Sequence, residues 1–343
     1  MKAARLHPNA TSLVIEEVPE PGLKPGSVIV RLEAAFAPPF ITKLIDGSGG
    51  YTTPPRPFTP GMDAIGTVAD VADGVRGLSM GDRVYCDNYF EPQHPARTGE
   101  RAFLGNFAMG PNSTQLLEEW PDGVYAEKVC LPADCVIPIP PDTRSPASVL
   151  CRLGWLGTAY AGLRKVGMPP GAIVAVNGAS GLLGSSAVVV ALALGASQVF
   201  ALGRRAAALH AVAAIDPRVV PSTDASTIPP VDVALTSVDR TDSASLEALL
   251  PRVRRRGAFV VVGAPKAPLA VNVGWLLGND ITLRGSLWFE RGQVVEMLRL
   301  IASGRMALSA LEADVFNLSR ITEALVAAQD RHNPLRHVAI SCS

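Results

Sequence analysis

Residues 174–184 read VAVNGASGLLG, and residues 198–205 read QVFALGRR. The first segment is an apolar strand that runs into spaced glycines and then into a helix of small residues. A turn of this kind presents backbone N–H groups and the positive end of a helix to an anion, as in sites that bind the pyrophosphate of a dinucleotide. The residues predicted to contact the dinucleotide are Gly178, Ser180, Gly181, Leu182, Leu183 and Gly184.

The second segment indicates which dinucleotide is bound. Gly203 follows Gly184 by 19 residues and stands where an NAD site places an acidic residue on the ribose hydroxyls. Gly203 leaves room at this position, and Arg204 and Arg205 offer charged donors to a 2′-phosphate. The spacing therefore favours NADP(H) over NAD(H). The alternative is that the two arginines belong to a solvated helix start.

The composition limits the class of protein. The chain has 343 residues, of which 48% are hydrophobic and 18% are charged, and this fits a folded chain of two domains. Because 31 basic residues balance 31 acidic ones, the charge footprint of a nucleic-acid binder is missing. No apolar run reaches the length of a signal core or a membrane span, which predicts a cytoplasmic protein with no membrane partner.

The cysteines and histidines carry little metal-binding signal. The five cysteines are odd in number and scattered, which argues against a disulfide framework. Cys86 and His94 come closest to a ligand pair. Two lone candidates do not close a tetrahedral site, so we interpret both as structural residues.

The pattern of the chain changes near residue 145. Before this point, short apolar stretches alternate with prolines and glycines, as in a compact β-barrel-like domain. The strands predicted there are 12–18, 28–34, 64–71 and 83–85. After this point, fully apolar strands alternate with helices, which predicts a doubly wound parallel sheet.

The predicted elements of the second part follow this alternation. A helix is predicted at 149–166. The strands are predicted at 172–177, 198–202, 231–236, 258–263 and 281–288, and the helices at 182–194, 204–214, 243–254 and 292–303. The chain is predicted to finish with a strand at 311–316, a helix at 319–329 and a strand at 336–341. These last strands are expected to rejoin the first domain, which would make it discontinuous.

Six landmarks in order resemble the medium-chain dehydrogenase/reductase family over nearly the whole chain. They are 19–32, 61–66, 81–84, 123–127, the strand and turn at 174–184, and 281–286. The resemblance implies an oxidoreductase with a discontinuous GroES-like β-barrel catalytic domain, formed by 1–145 with 312–343. It also implies a Rossmann dinucleotide-binding domain at 146–311, a small-molecule substrate and a homodimer.

The zinc-binding members of this family hold the metal through a Cys, a His in Gly-His-Glu and a further Cys or acid. In this chain Pro38, Met62 and Gly154 stand at those places, with Asp63 after Met62 and Cys151 one helical turn before Gly154. Proline and glycine offer no side-chain ligand, and a thioether is a poor partner for Zn²⁺. The resemblance is therefore to the zinc-independent, quinone and enone reductase-like branch, and we predict no metal ligand.

Without a metal, the easier hydride acceptor is an activated C=C bond, because the negative charge delocalises over the conjugated system. We therefore predict NADPH-dependent reduction of an enone, enoyl or quinone substrate. One alternative is reduction of a ketone, aldehyde or imine on the same scaffold. Another is a protein that binds NADPH without turnover, as a sensor or a structural component.

The resemblance also implies roles for individual side chains. Tyr51 is similar to a proton-donating tyrosine of some enoyl reductases, and the alternative is a structural tyrosine. Lys43 stands where some alcohol dehydrogenases keep a proton-relay His, and the alternative is an exposed lysine. Phe40 takes the place of a hydroxyl relay residue. The residues implied beside the nicotinamide are Thr158, Gly263, Ala264, Leu287 and Trp288.

The stretch 86–122 takes the place of the structural-zinc lobe of the family but contains a single cysteine. It is rich in large apolar side chains. They are Phe90, Phe103, Phe107, Met109 and Trp120. These residues either line a substrate cleft or pack on one another in a surface loop.

Overall fold

The structure, a computed structural model, describes residues 1–239, 243–266, 268–330 and 332–342. The chain divides into two compact units. The first contains Met1–Leu153, Ala313–Asp330 and His337–Ser343, and the second contains Gly154–Glu312 and Arg331–Arg336. The first unit is thus discontinuous. The domain limits of 145/146 and 311/312 stay a prediction.

The strands and helices are numbered here in chain order. The strands are β1 Lys2–Arg5, β2 Val14–Glu17, β3 Ser27–Phe36, β4 Met62–Val71, β5 Arg83–Cys86, β6 Tyr89–Phe90, β7 Ala102–Phe103, β8 Phe107–Ala108, β9 Lys128–Pro132, β10 Val136–Pro138, β11 Ile173–Asn177, β12 Gln198–Leu202, β13 Val219–Ser222, β14 Val231–Thr236, β15 Val253–Val261, β16 Thr282–Gly285, β17 Glu312–Asn317 and β18 Arg336–Ser341. The helices are α1 Ile41–Ile45, α2 Thr114–Glu119, α3 Ala147–Leu150, α4 Leu153–Lys165, α5 Leu182–Ala193, α6 Ala206–Ala213, α7 Ala244–Leu249, α8 Val273–Asn279, α9 Arg291–Ala302 and α10 Ile321–Ala327.

The second unit is built on a six-stranded parallel sheet with the order β13-β12-β11-β14-β15-β16. The strand order reverses between β11 and β14, which is the switch point of a doubly wound fold. The middle strands are almost entirely buried because helices cover both faces of the sheet. The predicted doubly wound parallel sheet is confirmed, and its carboxyl edge is where a ligand is expected.

Several elements of this unit differ from the predictions, among them helix α8, which was not predicted. Strand β13 was not predicted, because Pro221 reads as a strand breaker; the structure tolerates it because β13 lies at the sheet edge. The helix predicted at 243–254 ends at Leu249, and β15 begins at Val253, because Pro251 cannot continue the helical hydrogen bonding. The strand predicted at 281–288 ends at Gly285.

The helix predicted at 149–166 is two helices, α3 and α4. Helix α3 ends at Leu150, and the N–H of Cys151 bonds to the carbonyls of Ala147 and Val149. The next residue, Arg152, is fully buried before α4 begins. The break places Cys151 and Arg152 in the core of the first unit rather than on one continuous helix.

The first unit contains a seven-stranded sheet with the order β10-β5-β4-β3-β18-β17, and β9 also pairs with β3. The ten-residue strand β3 pairs antiparallel with β4, β9 and β18 and is buried along most of its length. A small sheet of β6, β7 and β8 lies within the stretch 86–122. No helix among the described residues is long and apolar enough to cross a bilayer.

Candidate functional site

The glycine turn between β11 and α5 is fixed by backbone contacts. Gly178 has φ +89°, a conformation that side chains disfavour, and its N–H donates to the carbonyl of Leu202 at 3.0 Å. Gly184, in the first turn of α5, packs directly on the Gly178 carbonyl and has no space for a Cβ atom. The helix therefore starts against the turn, and β12 lies beside it.

The start of α5 offers its amides to a ligand. The first helical hydrogen bond runs from the N–H of Ser185 to the carbonyl of Gly181 at 2.9 Å, so the amides of the first turn precede the intrahelical bonding. Gly181 caps the helix without a side chain, and a Cβ atom placed there would meet nothing closer than 3.4 Å. Leu182 and Leu183 are half-buried. This surface fits a pyrophosphate at a helix N-terminus.

The end of β12 gives the two arginines different positions. The guanidinium of Arg205 donates a hydrogen bond to the carbonyl of Ser180, so this side chain ties the glycine turn to the start of α6. Arg204 is exposed. A Cβ atom on Gly203 would lie 2.7 Å from Oγ of Ser180, so an acidic side chain there would have to displace Ser180. The predicted pair consists of one anchoring residue and one residue open to a ligand.

Three of the residues predicted to contact the nicotinamide lie in α4 or just after β15. They are Thr158, Gly263 and Ala264. The hydroxyl of Thr158 is buried and donates to the carbonyl of Gly154 at 2.8 Å, which commits its proton to the helix. The N–H of Gly263 donates to the carbonyl of Thr236 at 3.2 Å, and a Cβ atom on Gly263 would lie 2.5 Å from the backbone of Ser237. Ala264, the next residue, is exposed.

The other two predicted nicotinamide contacts follow β16. Leu287 is exposed, whereas the Trp288 ring is buried and stacks on Phe289 with ring centroids 4.7 Å apart. Trp288 has φ +48°, an uncommon conformation for a bulky residue. The indole is thus part of the packing of this unit, and Leu287 has the side chain open to a ligand.

Next to Met62, which stands at one of the predicted ligand positions, lies the buried carboxyl of Asp63. Asp63 is fully buried, has φ +59°, and its Oδ1 accepts a hydrogen bond from the hydroxyl of Tyr85. Its other oxygen, Oδ2, has no hydrogen-bond partner among the described residues. Burial raises the pKa of Asp63 well above its ordinary value, so the neutral form is favoured. Met62, beside it, is also buried.

Cys151, the other nearby candidate, is arranged as a structural thiol. Its Sγ donates to the carbonyl of Ser148 at 3.2 Å, and Nε2–H of His337 donates to the same carbonyl at 2.7 Å. Sγ and Nε2 are 3.8 Å apart, but the N–H points at the carbonyl, so this nitrogen is not a base for the thiol. Burial raises the pKa of Cys151 well above its ordinary value.

The part of the chain that the structure describes contains no group of side chains arranged to bind a metal. No three His, Cys, Asp or Glu side chains come together there in a way that could hold a metal ion. Cys86 is buried, and burial raises the pKa of its thiol. Nδ1 of His94 accepts the N–H of Ala96 at 3.2 Å in a surface turn.

Lys43 and Tyr51 lie close together in sequence in the first unit, in helix α1 and in the loop that follows it. Lys43 is in the last turn of α1, its side chain is exposed, and its carbonyl accepts the N–H of Gly49 at 2.8 Å. Tyr51 stacks on Phe107 with ring centroids 4.6 Å apart, and 36% of its surface is exposed to solvent. Its hydroxyl has no hydrogen-bond partner among the described residues, and burial raises its pKa.

The packing around Tyr51 contains a residue whose role the sequence did not indicate. Phe40 meets the ring of Phe107 edge-on, with ring centroids 6.3 Å apart. Trp120, by contrast, lies under the ammonium of Lys24 at 4.5 Å and is not part of this contact. The aromatic residues of the stretch 86–122 are thus divided between two places.

The chain is similar to known proteins in sequence and in structure. Residues 24–141 match the family model of the alcohol dehydrogenase GroES-like domain. An alcohol dehydrogenase of Geobacillus stearothermophilus is 29% identical over 340 residues, which is 95% of each chain. An acryloyl-coenzyme A reductase of Sulfurisphaera tokodaii is 25% identical over 325 residues, 93% of each chain. A cobalt- and zinc-bound thermostable alcohol dehydrogenase of Pyrobaculum aerophilum superposes with a TM-score of 0.78 and is 27% identical, and the match covers 99% of each chain.

The parallel sheet with its glycine turn and the discontinuous GroES-like unit define an oxidoreductase that binds a nicotinamide cofactor and acts on a small molecule. This confirms the predicted fold, a Rossmann sheet with a GroES-like domain. The family model and the whole-chain matches are those of the medium-chain dehydrogenase/reductase superfamily. Its relatives include both alcohol dehydrogenases and acryloyl-coenzyme A reductases.

Proposed function

We propose that this chain is a zinc-independent, NADPH-dependent reductase of an activated C=C bond in an enone, enoyl or quinone substrate. The observation that carries the proposal is the chemistry at the ligand positions. Pro38 and Gly154 have no side-chain ligand atom, and Met62 has a buried thioether. Asp63, which follows Met62, has a buried carboxyl whose pKa is raised. Such residues do not bind Zn²⁺ well, because zinc prefers thiolate, imidazole and ionised carboxylate.

This donor set favours a conjugated acceptor over an isolated carbonyl. A hydride added to a carbonyl leaves a localised oxyanion, which a metal ion stabilises strongly. A hydride added to an enone leaves an enolate whose charge is spread over several atoms, and a weak donor is enough to complete the reaction. A chain without a Lewis acid is therefore better suited to the C=C bond.

The preference for NADPH is supported by the end of β12. The exposed guanidinium of Arg204 is the donor that we propose for a 2′-phosphate, and Ser180 occupies the space that an acidic side chain at position 203 would need. Gly181, Leu182, Leu183 and Gly184 would hold the pyrophosphate through the first turn of α5. When bound, the cofactor supplies the hydride.

Tyr51 is the proposed proton donor, because its ring is exposed by 36% and its hydroxyl has no partner among the described residues. Lys43 is the second candidate, as a side chain that holds a substrate oxygen. Its ammonium is exposed at the end of a short helix that carries no acidic residue in its first turn. Both residues stay predictions.

A homodimer is supported by the open edge of the parallel sheet. Strand β16 is exposed along its whole length and lies at the sheet edge, where unpaired backbone groups can pair with a second copy. Helix α8 exposes Val273 by 74% and Leu277 by 84%. Light scattering is expected to give about twice the chain mass of 36.0 kDa. The cytoplasmic location stays a prediction.

The deciding experiment measures NADPH oxidation with an enone before and after exhaustive chelation, together with the metal content and the product. We expect activity without stoichiometric metal and a saturated ketone as product. Activity that is lost on chelation and restored by zinc would reject the proposal.

The same experiment separates the other candidate functions. An allylic alcohol as product would indicate carbonyl reduction, the activity that the alcohol dehydrogenase relatives carry in their names. Tight NADPH binding without oxidation across a panel of enones, quinones, ketones, aldehydes and imines would indicate a sensor or structural protein.

A further inference from the structure

Aromatic rings from several segments of the first unit pack into one cluster, which we call the Tyr51 platform. Phe107 is at its centre, with Tyr51 stacked on it at an interplanar angle of 28° and Phe103 tilted against it at 5.0 Å between ring centroids. Tyr89 in turn contacts Phe103 at 5.3 Å. The platform consists of Phe40, Tyr51, Tyr89, Phe103 and Phe107.

The Tyr51 ring is held in place from two directions. The ring lies so close to Gly49 that a Cβ atom on Gly49 would collide with it, and the N–H of Gly49 is bonded to the Lys43 carbonyl at 2.8 Å. After Tyr51, the carbonyl of Thr52 accepts the N–H of Ala108 at 2.9 Å, which joins this loop to β8. Tyr51 is therefore a fixed part of the platform rather than a side chain at a free loop tip.

Only one member of the platform combines an open ring with an uncommitted polar group. Phe103 and Phe107 are 5% and 8% exposed, whereas Tyr51 is 36% exposed. The Tyr51 hydroxyl has no hydrogen-bond partner among the described residues, so it is open to a ligand. The platform thus presents a rigid aromatic surface with a polar tip, supported from behind by buried rings.

We infer that the Tyr51 platform selects the substrate class: a conjugated substrate that carries an aryl ring or a similarly planar apolar group, stacked on the Tyr51 ring. The inference rests on the proposed function and deepens it. Aromatic pairs prefer offset-stacked or edge-on geometries and gain affinity beyond the area that they bury. An aliphatic ring of the same size buries a comparable area but lacks this extra interaction.

The test compares the equilibrium binding of two ketones that differ only in this respect, 4-phenylbutan-2-one and 4-cyclohexylbutan-2-one. Binding is measured by calorimetry in the presence of NADP⁺, so that no reduction occurs. The wild-type protein is expected to bind the phenyl ketone about two- to tenfold more tightly. Tyr51→Phe is expected to keep this preference, because it keeps the ring, and Tyr51→Leu is expected to abolish it.

Each outcome decides the inference. Equal affinity of the wild-type protein for the two ketones, or no binding of either up to its solubility limit, would overturn it. A full phenyl preference in Tyr51→Leu would do the same. If Tyr51→Leu does not fold, Tyr51→Trp provides the second arm, and its larger ring is expected to raise the preference; an unchanged or lower preference counts against the inference. Because binding is measured without turnover, a failure to reduce enones would reject the proposed function and leave this result standing.

Discussion

Replacing Arg204 by alanine is expected to weaken NADPH binding and to leave NADH binding unchanged. The only chemical difference between the two cofactors is the 2′-phosphate, and Arg204 is the exposed arginine at the end of β12. The perturbation therefore removes one charged donor without touching the glycine turn. Its effect is read as a ratio of two affinities, which cancels any general loss of folding.

The expected size follows from the exposure of the side chain. A hydrogen bond to a charged group contributes about 1.5–3 kcal/mol. Because Arg204 is exposed, solvent screens the contact, and the lower half of this range applies. The dissociation constant for NADPH should thus rise by about ten- to fortyfold. Added salt should reduce the difference between wild type and variant, as it does for other screened charge pairs.

The assay is a fluorescence titration of the reduced cofactors, with Arg205→Ala as the matched control. Arg205 donates to the Ser180 carbonyl, so its loss loosens the turn that holds the pyrophosphate, a group common to both cofactors. Arg205→Ala should therefore weaken NADPH and NADH by similar factors. An unchanged NADPH/NADH ratio in Arg204→Ala would refute the assignment, and a ratio altered mainly in Arg205→Ala would transfer the role to that residue.

Three further predictions concern stability, the cofactor turn and assembly. Burial raises the pKa of Asp63 in the folded chain, so stability should fall as the pH rises above the ordinary Asp pKa of about 4. Asp63→Asn should make Tm fall less steeply with pH above this value, and parallel curves would contradict this. Gly184→Ala should abolish binding of both cofactors while the fold is kept, because its Cβ would strike the Gly178 carbonyl; unchanged titrations would show that the turn can give way. Leu277→Glu should halve the mass measured by light scattering, and a wild-type mass would exclude α8 from the interface.

The parts of the fold that local patterns encode were predictable from the sequence. The turn at Gly178 and the start of α5 follow from glycine spacing, and the buried strands β11, β12 and β14 follow from their fully apolar runs. Strand β13 was missed because an edge strand tolerates the proline that ends a central one. Local sequence rules therefore predicted the central strands of the sheet better than its edge strands.

The site was predictable only where its contacts are local. Arg205 reaches a backbone carbonyl 25 residues away, and a carbonyl leaves no signature in the sequence. Tyr51 and Phe107 meet because β8 runs beside the loop after Tyr51, a pairing that no spacing rule gives. The sequence thus indicated which residue types were present, and the tertiary structure determined which of them are free to bind a ligand.

The buried pair of Asp63 and Tyr85 connects the absence of metal ligands with the proposed chemistry. An ionised carboxylate in the core needs a positive charge or several hydrogen-bond donors beside it, and a divalent cation is one way to supply the charge. Pro38 and Met62 are poor ligands for such a cation, and burial raises the pKa of Asp63, which favours its neutral form. The hydroxyl of Tyr85 donates to Oδ1 of this carboxyl. The pH slope of stability and the chelation test therefore probe the same property. If zinc bound next to Asp63, its charge would lower the pKa of the carboxyl, and the slope removed in Asp63→Asn would be absent from the wild-type protein as well.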